Sequence, residues 1–139
     1  MLSTHALKTD LHSVDWSAMK RTLAADHFDN GRTPEQLAES FRNSHSTCIA
    51  YDGDTIIGTA RALSDGVCNA YIVDVWTLTA YRRQGIARAM LNELFAWGRE
   101  LGCEEAWLGT EFDNVEANAL YRGFDPVEDD GIQFYLFKL

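Results

Sequence analysis

Residues 82–88, Arg82-Arg83-Gln84-Gly85-Ile86-Ala87-Arg88, set guanidinium charge around a glycine at the point where the hydrophobic period of the chain changes. Before them, residues 69–78 alternate, are rich in β-branched and aromatic side chains, and read as a strand. After them, Ile86, Ala89, Met90, Leu94 and Trp97 recur at three- and four-residue spacing and make one face of a helix. A basic turn between the two presents backbone N–H groups at a helix N-terminus. Unpaired N–H groups, the helix dipole and guanidinium charge all favour an anion such as a phosphate or pyrophosphate. Gly85 suits close approach of the backbone to such a group, and Ala87 leaves the first turn unobstructed. The competing reading is an ordinary strand-to-helix turn with solvated arginines.

A second chemical candidate lies on the strand. Strict alternation places Val73, Val75 and Thr77 on one face, and Ile72, Asp74, Trp76 and Leu78 on the other. A carboxylate beside Trp76 on a mostly apolar strand needs a reason, because an unpaired buried charge is costly. Asp74 would serve as a general base or as a clamp for an ammonium group, since an amine must lose a proton before it attacks a carbonyl. The structural alternative is an Asp paired with Arg61 or capping a loop. Glu111 and Asp113 are rival carboxylates.

These residues need elements to hold them. A short strand is expected around residues 5–8. Asp15 would cap a helix carrying Trp16, Met19, Leu23 and Ala24. Thr33-Pro34-Glu35-Gln36 has the form of a capping box with proline at the first helical position. Residues 47–51 and 55–61 form a hairpin around Asp52-Gly53-Asp54. Leu101-Gly102 ends the long helix, residues 104–110 make a further strand, and Asn114 caps a short helix over 115–121. Residues 132–139 read as a last, strongly β-prone strand. Trp97, Trp107, Phe112 and Phe134 are core candidates.

Composition narrows the classes. A chain of 139 residues predicts one domain, 1–139, with a real core. Lys+Arg 12 against Asp+Glu 21 gives a net charge of −9, which argues against nucleic-acid or anionic-membrane binding and is compatible with a cationic amine substrate. The 3 cysteines, Cys48, Cys68 and Cys103, are widely spaced and suggest reduced thiols in a cytoplasmic protein. The 4 histidines have no ligand spacing, so no metal is expected. There is no membrane-length apolar run, internal repeat or low-complexity tract.

Arg82-Arg83-Gln84-Gly85-Ile86-Ala87 resembles the acyl-CoA-binding motif of the GCN5-related N-acetyltransferases (GNAT): Gln or Arg, two residues, Gly, one residue, Gly or Ala. Asn114, Ala117, Leu120, Tyr121 and Gly123-Phe124 resemble that family's second motif. The likeness covers the chain from about residue 47 to its end. It implies an α/β fold with a GNAT-like mixed, mainly antiparallel central sheet flanked by helices, with splayed central strands. It also implies acetyl-CoA as co-substrate and acetyl transfer to a primary amine of a small, cationic acceptor.

In that frame the pantetheine arm would lie along the splayed strand edge at Trp76, Thr77 and Leu78, and the pyrophosphate among Arg83, Gln84, Gly85, Ile86, Ala87 and Arg88. Asn114 would orient the cofactor or its helix, and Tyr121 would protonate the leaving thiolate. Phe28, Asp29 and Arg32, between the first two helices, would border the acceptor together with Glu111 and Asp113. One departure stands out: only Arg122 separates Tyr121 from Gly123, where the family usually has about three residues. Three other readings share these residues. One is a non-catalytic acyl-CoA-binding module. Another is a toxin–antitoxin-like interaction protein, whose residues 134–137 would pair across a homodimer. The third is an antibiotic-modifying enzyme of the aminoglycoside 3-N-acetyltransferase type.

Overall fold

The computed structural model describes residues 5–129 and 131–139. The chain divides into two compact units, residues 1–108 and 109–139. The first holds strands β1 (Ala6–Lys8), β2 (Ser46–Asp52), β3 (Thr55–Ser64), β4 (Asn69–Thr77) and β5 (Glu105–Trp107), and helices α1 (Trp16–Ala25), α2 (Pro34–Arg42) and α3 (Ile86–Leu101). The sheet order is β1-β2-β3-β4-β5, antiparallel except for the parallel β4–β5 pair. This is the mixed, mainly antiparallel sheet flanked by helices that the family resemblance implies.

Local chemistry sets the helix ends. The Ala18 amide donates to the Asp15 carboxylate at 2.9 Å. At α2 the Gln36 amide donates to the Thr33 hydroxyl at 3.1 Å while the Thr33 amide donates to the Gln36 side chain at 2.9 Å, so two orphan donors are satisfied reciprocally. Helix α3 stops at Gly102, whose φ of 95° is open to glycine at little cost.

The β3–β4 register breaks the alternation read from sequence. Val73 pairs with Arg61 and Trp76 with Thr59, so Asp74 and Val75 together face Ala60. Asp74 sits at φ 52°, and its carbonyl accepts from the Thr59 hydroxyl at 2.9 Å. This β-bulge rotates the strand, so Val73 and Trp76 point to the same face, where strict alternation would oppose them. Beneath that face Trp76 joins Met19, Leu23, Leu37, Phe41, Ile49, Tyr51 and Ile56 in the core under α1 and α2, with Leu78 packed against it. Helix α3 covers the other face through Ile86, Met90, Leu91 and Leu94.

Pairing between β4 and β5 covers only Asn69↔Glu105, Ala70↔Ala106 and Tyr71↔Trp107. It ends on two stacked rings, Tyr71 and Trp107, with centroids 4.3 Å apart. Among the described residues, 72–77 of β4 therefore run on with no ladder on that side.

The second unit contains α4 (Val115–Arg122), capped where the Ala117 amide donates to the Asn114 side chain at 3.1 Å. Residues 131–139 take no regular secondary structure, which corrects the expected last strand: β propensity there is not matched by a pairing partner. Trp107, Phe112 and Phe134 are exposed rather than core, because the buried apolar residues come from α1–α3 and β2–β4.

Gly58 lets α3 approach the sheet. A Cβ there would lie 3.0 Å from the Met90 methyl, 3.1 Å from the Trp76 carbonyl oxygen and 3.3 Å from Ile86. Gly58→Val should destabilise the protein by about 1–3 kcal/mol through overpacking. The urea midpoint should fall accordingly, and an unchanged midpoint would refute this contact as a packing limit.

Candidate functional site

The 82–88 turn follows β4 through a short 3₁₀ turn, Thr79–Tyr81. Arg83 and Gly85 both adopt left-handed φ, 63° and 81°. Helices α1, α2 and α4 each have a side chain accepting from a first-turn amide, whereas α3, the longest, starts at Gly85 with no side-chain cap bond. Its first-turn donors are therefore left to another acceptor. A Cβ at Gly85 would meet nothing within 4 Å, so the space before the helix is open. Ile86 is buried against β3 and offers only its backbone to that space.

The turn is fastened on three sides. The Tyr81 hydroxyl donates to Asp52 at 2.6 Å, the Gln84 side chain meets His5 Nε2 at 3.2 Å, and Arg82 Nε donates to the Thr77 carbonyl at 3.2 Å. A further residue, Asp26 at the end of α1, was not singled out by sequence reasoning. Its carboxylate accepts from the Trp76 indole at 2.9 Å and the Thr79 amide at 3.2 Å, with Arg82 at 3.9 Å. Burial opposes its charge, but the bonds from Thr79 and Trp76 outweigh that and hold its pKa below the ordinary carboxylate value. Nothing in a helix-terminal Asp distinguished it in the sequence.

Of the three expected edge residues, Trp76 is 2% exposed and its indole is a core group, so only its backbone is available. The Leu78 amide is already donated to Ile57 at 2.8 Å. The Thr77 hydroxyl is buried without a partner among the described residues.

Phe28, Asp29 and Arg32, expected together at the acceptor, and Asp74, expected to serve it, line one cavity of about 280 Å³ with His27 and Asn30. Asp74 Oδ2 accepts from Arg61 Nε at 2.7 Å and from Arg32 Nη1 at 3.0 Å. The Arg61 pairing was the structural alternative raised above; Arg32, 42 residues away in sequence, is the partner sequence reasoning missed. Arg32 Nε also donates to Asn30 at 2.8 Å. Asp29 accepts from Lys20 and from the Gly31 amide, and these bonds lower its pKa, the Lys20 bond most. Phe28 is half-exposed, with its ring 6.5 Å from Trp76 behind it.

Glu111, Asp113, Asn114 and Tyr121 belong to the second unit. There the Asn118 side chain donates to the carbonyls of Glu111, Phe112 and Asn114, which fixes the turn before α4. The helix runs to Arg122, and the Gly123 amide bonds back to Ala119 at 3.2 Å. Tyr121 thus lies in the last helical turn despite the short link, and burial raises its phenol pKa above 10.0. Among the described residues no group of three or more His, Cys, Asp or Glu could hold a metal ion, and no helix is long and apolar enough to cross a membrane.

The family model described as Acetyltransferase (GNAT) family matches residues 10–124, across the boundary between the two units. The aminoglycoside N(6')-acetyltransferase type 1 of Acinetobacter haemolyticus is 23% identical over 69 residues, covering 50% of this chain and 48% of that protein. Its counterpart from Serratia marcescens is 26% identical over 66 residues, covering 48% and 45%. The chain spans about half the length of the curated relatives it matches, and both names give the 6' position rather than the 3-N position weighed from sequence.

Among solved structures, a probable acetyltransferase from Staphylococcus aureus superposes with a TM-score of 0.77 at 20% identity, covering 97% of this chain and 100% of that one. AAC(6')-Iy in complex with a bisubstrate analog superposes with a TM-score of 0.77 at 17% identity, covering 99% and 100%. At these identities the likeness is one of fold. With its uncapped α3, its parted β4 and β5, and a family match over most of its length, the chain belongs to the GNAT acetyltransferase family.

Proposed function

We propose that the protein transfers the acetyl group of acetyl-CoA directly to a primary amine of a small acceptor. The observation that carries this reading is a single strand–turn–helix in which an unladdered strand edge leads into a helix with a left-handed glycine start and no side-chain cap. Bound acetyl-CoA supplies the acetyl thioester. The amides of residues 85–88, with Arg83 and Arg88, hold the pyrophosphate, and the backbone at Trp76 and Thr77 takes the pantetheine arm. An open β4 amide donates to the thioester oxygen as charge develops there.

Asp74 lies on the same strand and on the wall of the acceptor cavity, so it brings the amine to the thioester. Both of its guanidinium bonds fall on Oδ2, which leaves Oδ1 to accept from the acceptor ammonium and pass its proton to water. Glu111 and Asp113 are the other carboxylates offered to the acceptor. Asn114 holds α4, and Tyr121 protonates the leaving thiolate. A phenol whose pKa is raised by burial keeps its proton at neutral pH and has one to give.

The cofactor assignment is tested by comparing Gly85→Ala with Gly85→Glu. Both variants pay for a side chain at φ 81°, but only glutamate places negative charge against the phosphates. Calorimetric titration should show acetyl-CoA binding at least about tenfold weaker in the glutamate variant than in the alanine one, about 1.4 kcal/mol. Equal affinities would remove the pyrophosphate from this turn.

Tyr121→Phe removes one hydroxyl and should cost about 10²–10⁴-fold in the chemical step with acetyl-CoA. The loss should shrink with an acyl donor whose thiol is more acidic, because that thiolate needs less protonation. A loss of the same factor for good and poor leaving groups, with chemistry rate-limiting, would mark Tyr121 as structural. Because the raised phenol pKa moves its ionisation above pH 10.0, any alkaline fall in rate due to Tyr121 belongs above that pH and should vanish in the variant.

A further inference from the structure

The charge of the whole chain, −9, is not the charge at the acceptor cavity. Asp74 on its wall is met by two guanidiniums, Arg32 from the wall itself and Arg61 from β3, and the three side chains are only 15–18% exposed. Arg61 is otherwise occupied: Nη1 donates to the Ser44 hydroxyl at 3.3 Å and the Ser40 carbonyl at 3.5 Å, and its guanidinium lies over the Phe41 ring at 5.9 Å. Arg32 differs. Its side chain donates only to Asn30 through Nε and to Asp74 through Nη1, which leaves Nη2 without a partner among the described residues. A guanidinium has five N–H donors, so most of its capacity is unspent. Asp29, the other carboxylate on the wall, accepts from Lys20 and from the Gly31 amide through Oδ1, and the Lys20 ammonium already balances its charge. Two carboxylate oxygens on the wall have no bonded partner among the described residues, Asp29 Oδ2 and Asp74 Oδ1, and of these Asp74 Oδ1 belongs to the carboxylate bonded to a guanidinium with spare donors. Planar guanidinium donors of this kind match a carboxylate.

We propose that the acceptor is a free α-amino acid, held with its ammonium at Asp74 and its carboxylate at Arg32; this rests on the acetyl-transfer reading above. Spacing selects the α-amino acid. Arg32 Nη1 and Asp74 Oδ2 are in contact at 3.0 Å, so the ligand's opposite charges must sit on neighbouring positions about one carbon. A polyamine or aminoglycoside would press further ammonium groups against Arg32 on the cavity wall. Size agrees: about 280 Å³ lies just under the ~300–1,000 Å³ of clefts for drug-sized ligands. Phe28 gives the amino acid side chain an apolar wall. The reaction takes the ammonium form of the amino acid and the acetyl thioester to an N-acetyl amino acid, a thiol and one proton released to solvent. The C–N bond forms as the C–S bond breaks.

The test uses one carbon skeleton in three charge states: phenylalanine, phenylalaninamide and phenethylamine, with spermidine and neamine alongside. Thiol release from acetyl-CoA by the wild-type chain should favour phenylalanine over its amide and its decarboxylated amine by about 10–100-fold in kcat/KM, the worth of a charge-assisted bond. Arg32→Gln should erase that ratio, mainly through KM, and Arg32→Lys should restore part of it. Equal or better turnover of the amide, phenethylamine, spermidine or neamine overturns the α-amino acid while leaving acetyl transfer standing. Calorimetric titration of phenylalanine and its amide into the acetyl-CoA-saturated wild-type protein gives a readout independent of turnover. Carboxylate-dependent binding without thiol release supports the pocket assignment and sinks the transfer reading. Absence of both binding and turnover for phenylalanine, alanine and leucine overturns the inference.

Discussion

One oxygen atom, Oδ2 of Asp74, accepts from guanidiniums on two otherwise separate parts of the chain. Arg61 comes from β3, beside Asp74 in the sheet, while Arg32 comes from the connection between α1 and α2. With the side chains only partly exposed, the attraction is less screened than on an open surface, and removing Asp74 leaves two neighbouring guanidiniums without their shared counter-charge. This triad sets where the α1–α2 connection lies against β4, and thereby the cavity that Phe28, Asn30 and Arg32 share with the strand. It also gives the β4 bulge a role. A left-handed residue at 74 turns the carboxylate toward α1 and α2, the side on which Arg61 projects.

A second carboxylate, Asp26, plays the corresponding part for the anion-binding end. It collects donors from Trp76, Thr79 and Arg82, so the end of α1 is bonded to β4 and to the turn that launches α3. Its folded pKa is depressed, so it stabilises the fold above the unfolded value and that contribution is lost as pH falls through the folded one. The two carboxylates therefore locate α1 and its following loop against one strand from both ends. The acceptor cavity and the anion turn are positioned by the same short run of backbone.

Local signals were legible wherever a residue acts through its own neighbours. The Thr33–Gln36 capping box, the Asp15 and Asn114 caps, the Gly102 stop and the change of period at Gly85 all resolve within a few residues, and the elements follow. Phe28, Asp29, Arg32 and Asp74 were legible as neighbours of one acceptor, but the direct bond between residues 32 and 74 was not, since it joins side chains 42 positions apart. The bulge was invisible for a related reason. Alternation describes one strand, whereas a register shift is a property of two. Residues 132–139 show the limit of propensity: Phe134, Tyr135 and Phe137 favour a strand, but a strand exists only where another chain segment pairs with it. The exposed Trp107 fails as a core residue because it ends the β4–β5 ladder, stacked on Tyr71 rather than enclosed.

The left-handed backbone at Asp74 also bears on how this site can change over generations. At φ 52° most side chains carry a steric penalty that glycine escapes and that Asp and Asn reduce by local hydrogen bonding. β-Branched residues, otherwise the natural occupants of a strand like β4, are the worst suited. The substitutions within easy reach of position 74 are thus a narrow set, chosen by backbone geometry before any demand of catalysis applies. Glycine, Asp and Asn are the residues that backbone admits at least cost, while Phe28 and Asn30, which do not have positive φ, are free of that filter. Diversification of what the cavity accepts would be channelled into the loop, with residue 74 as its fixed reference.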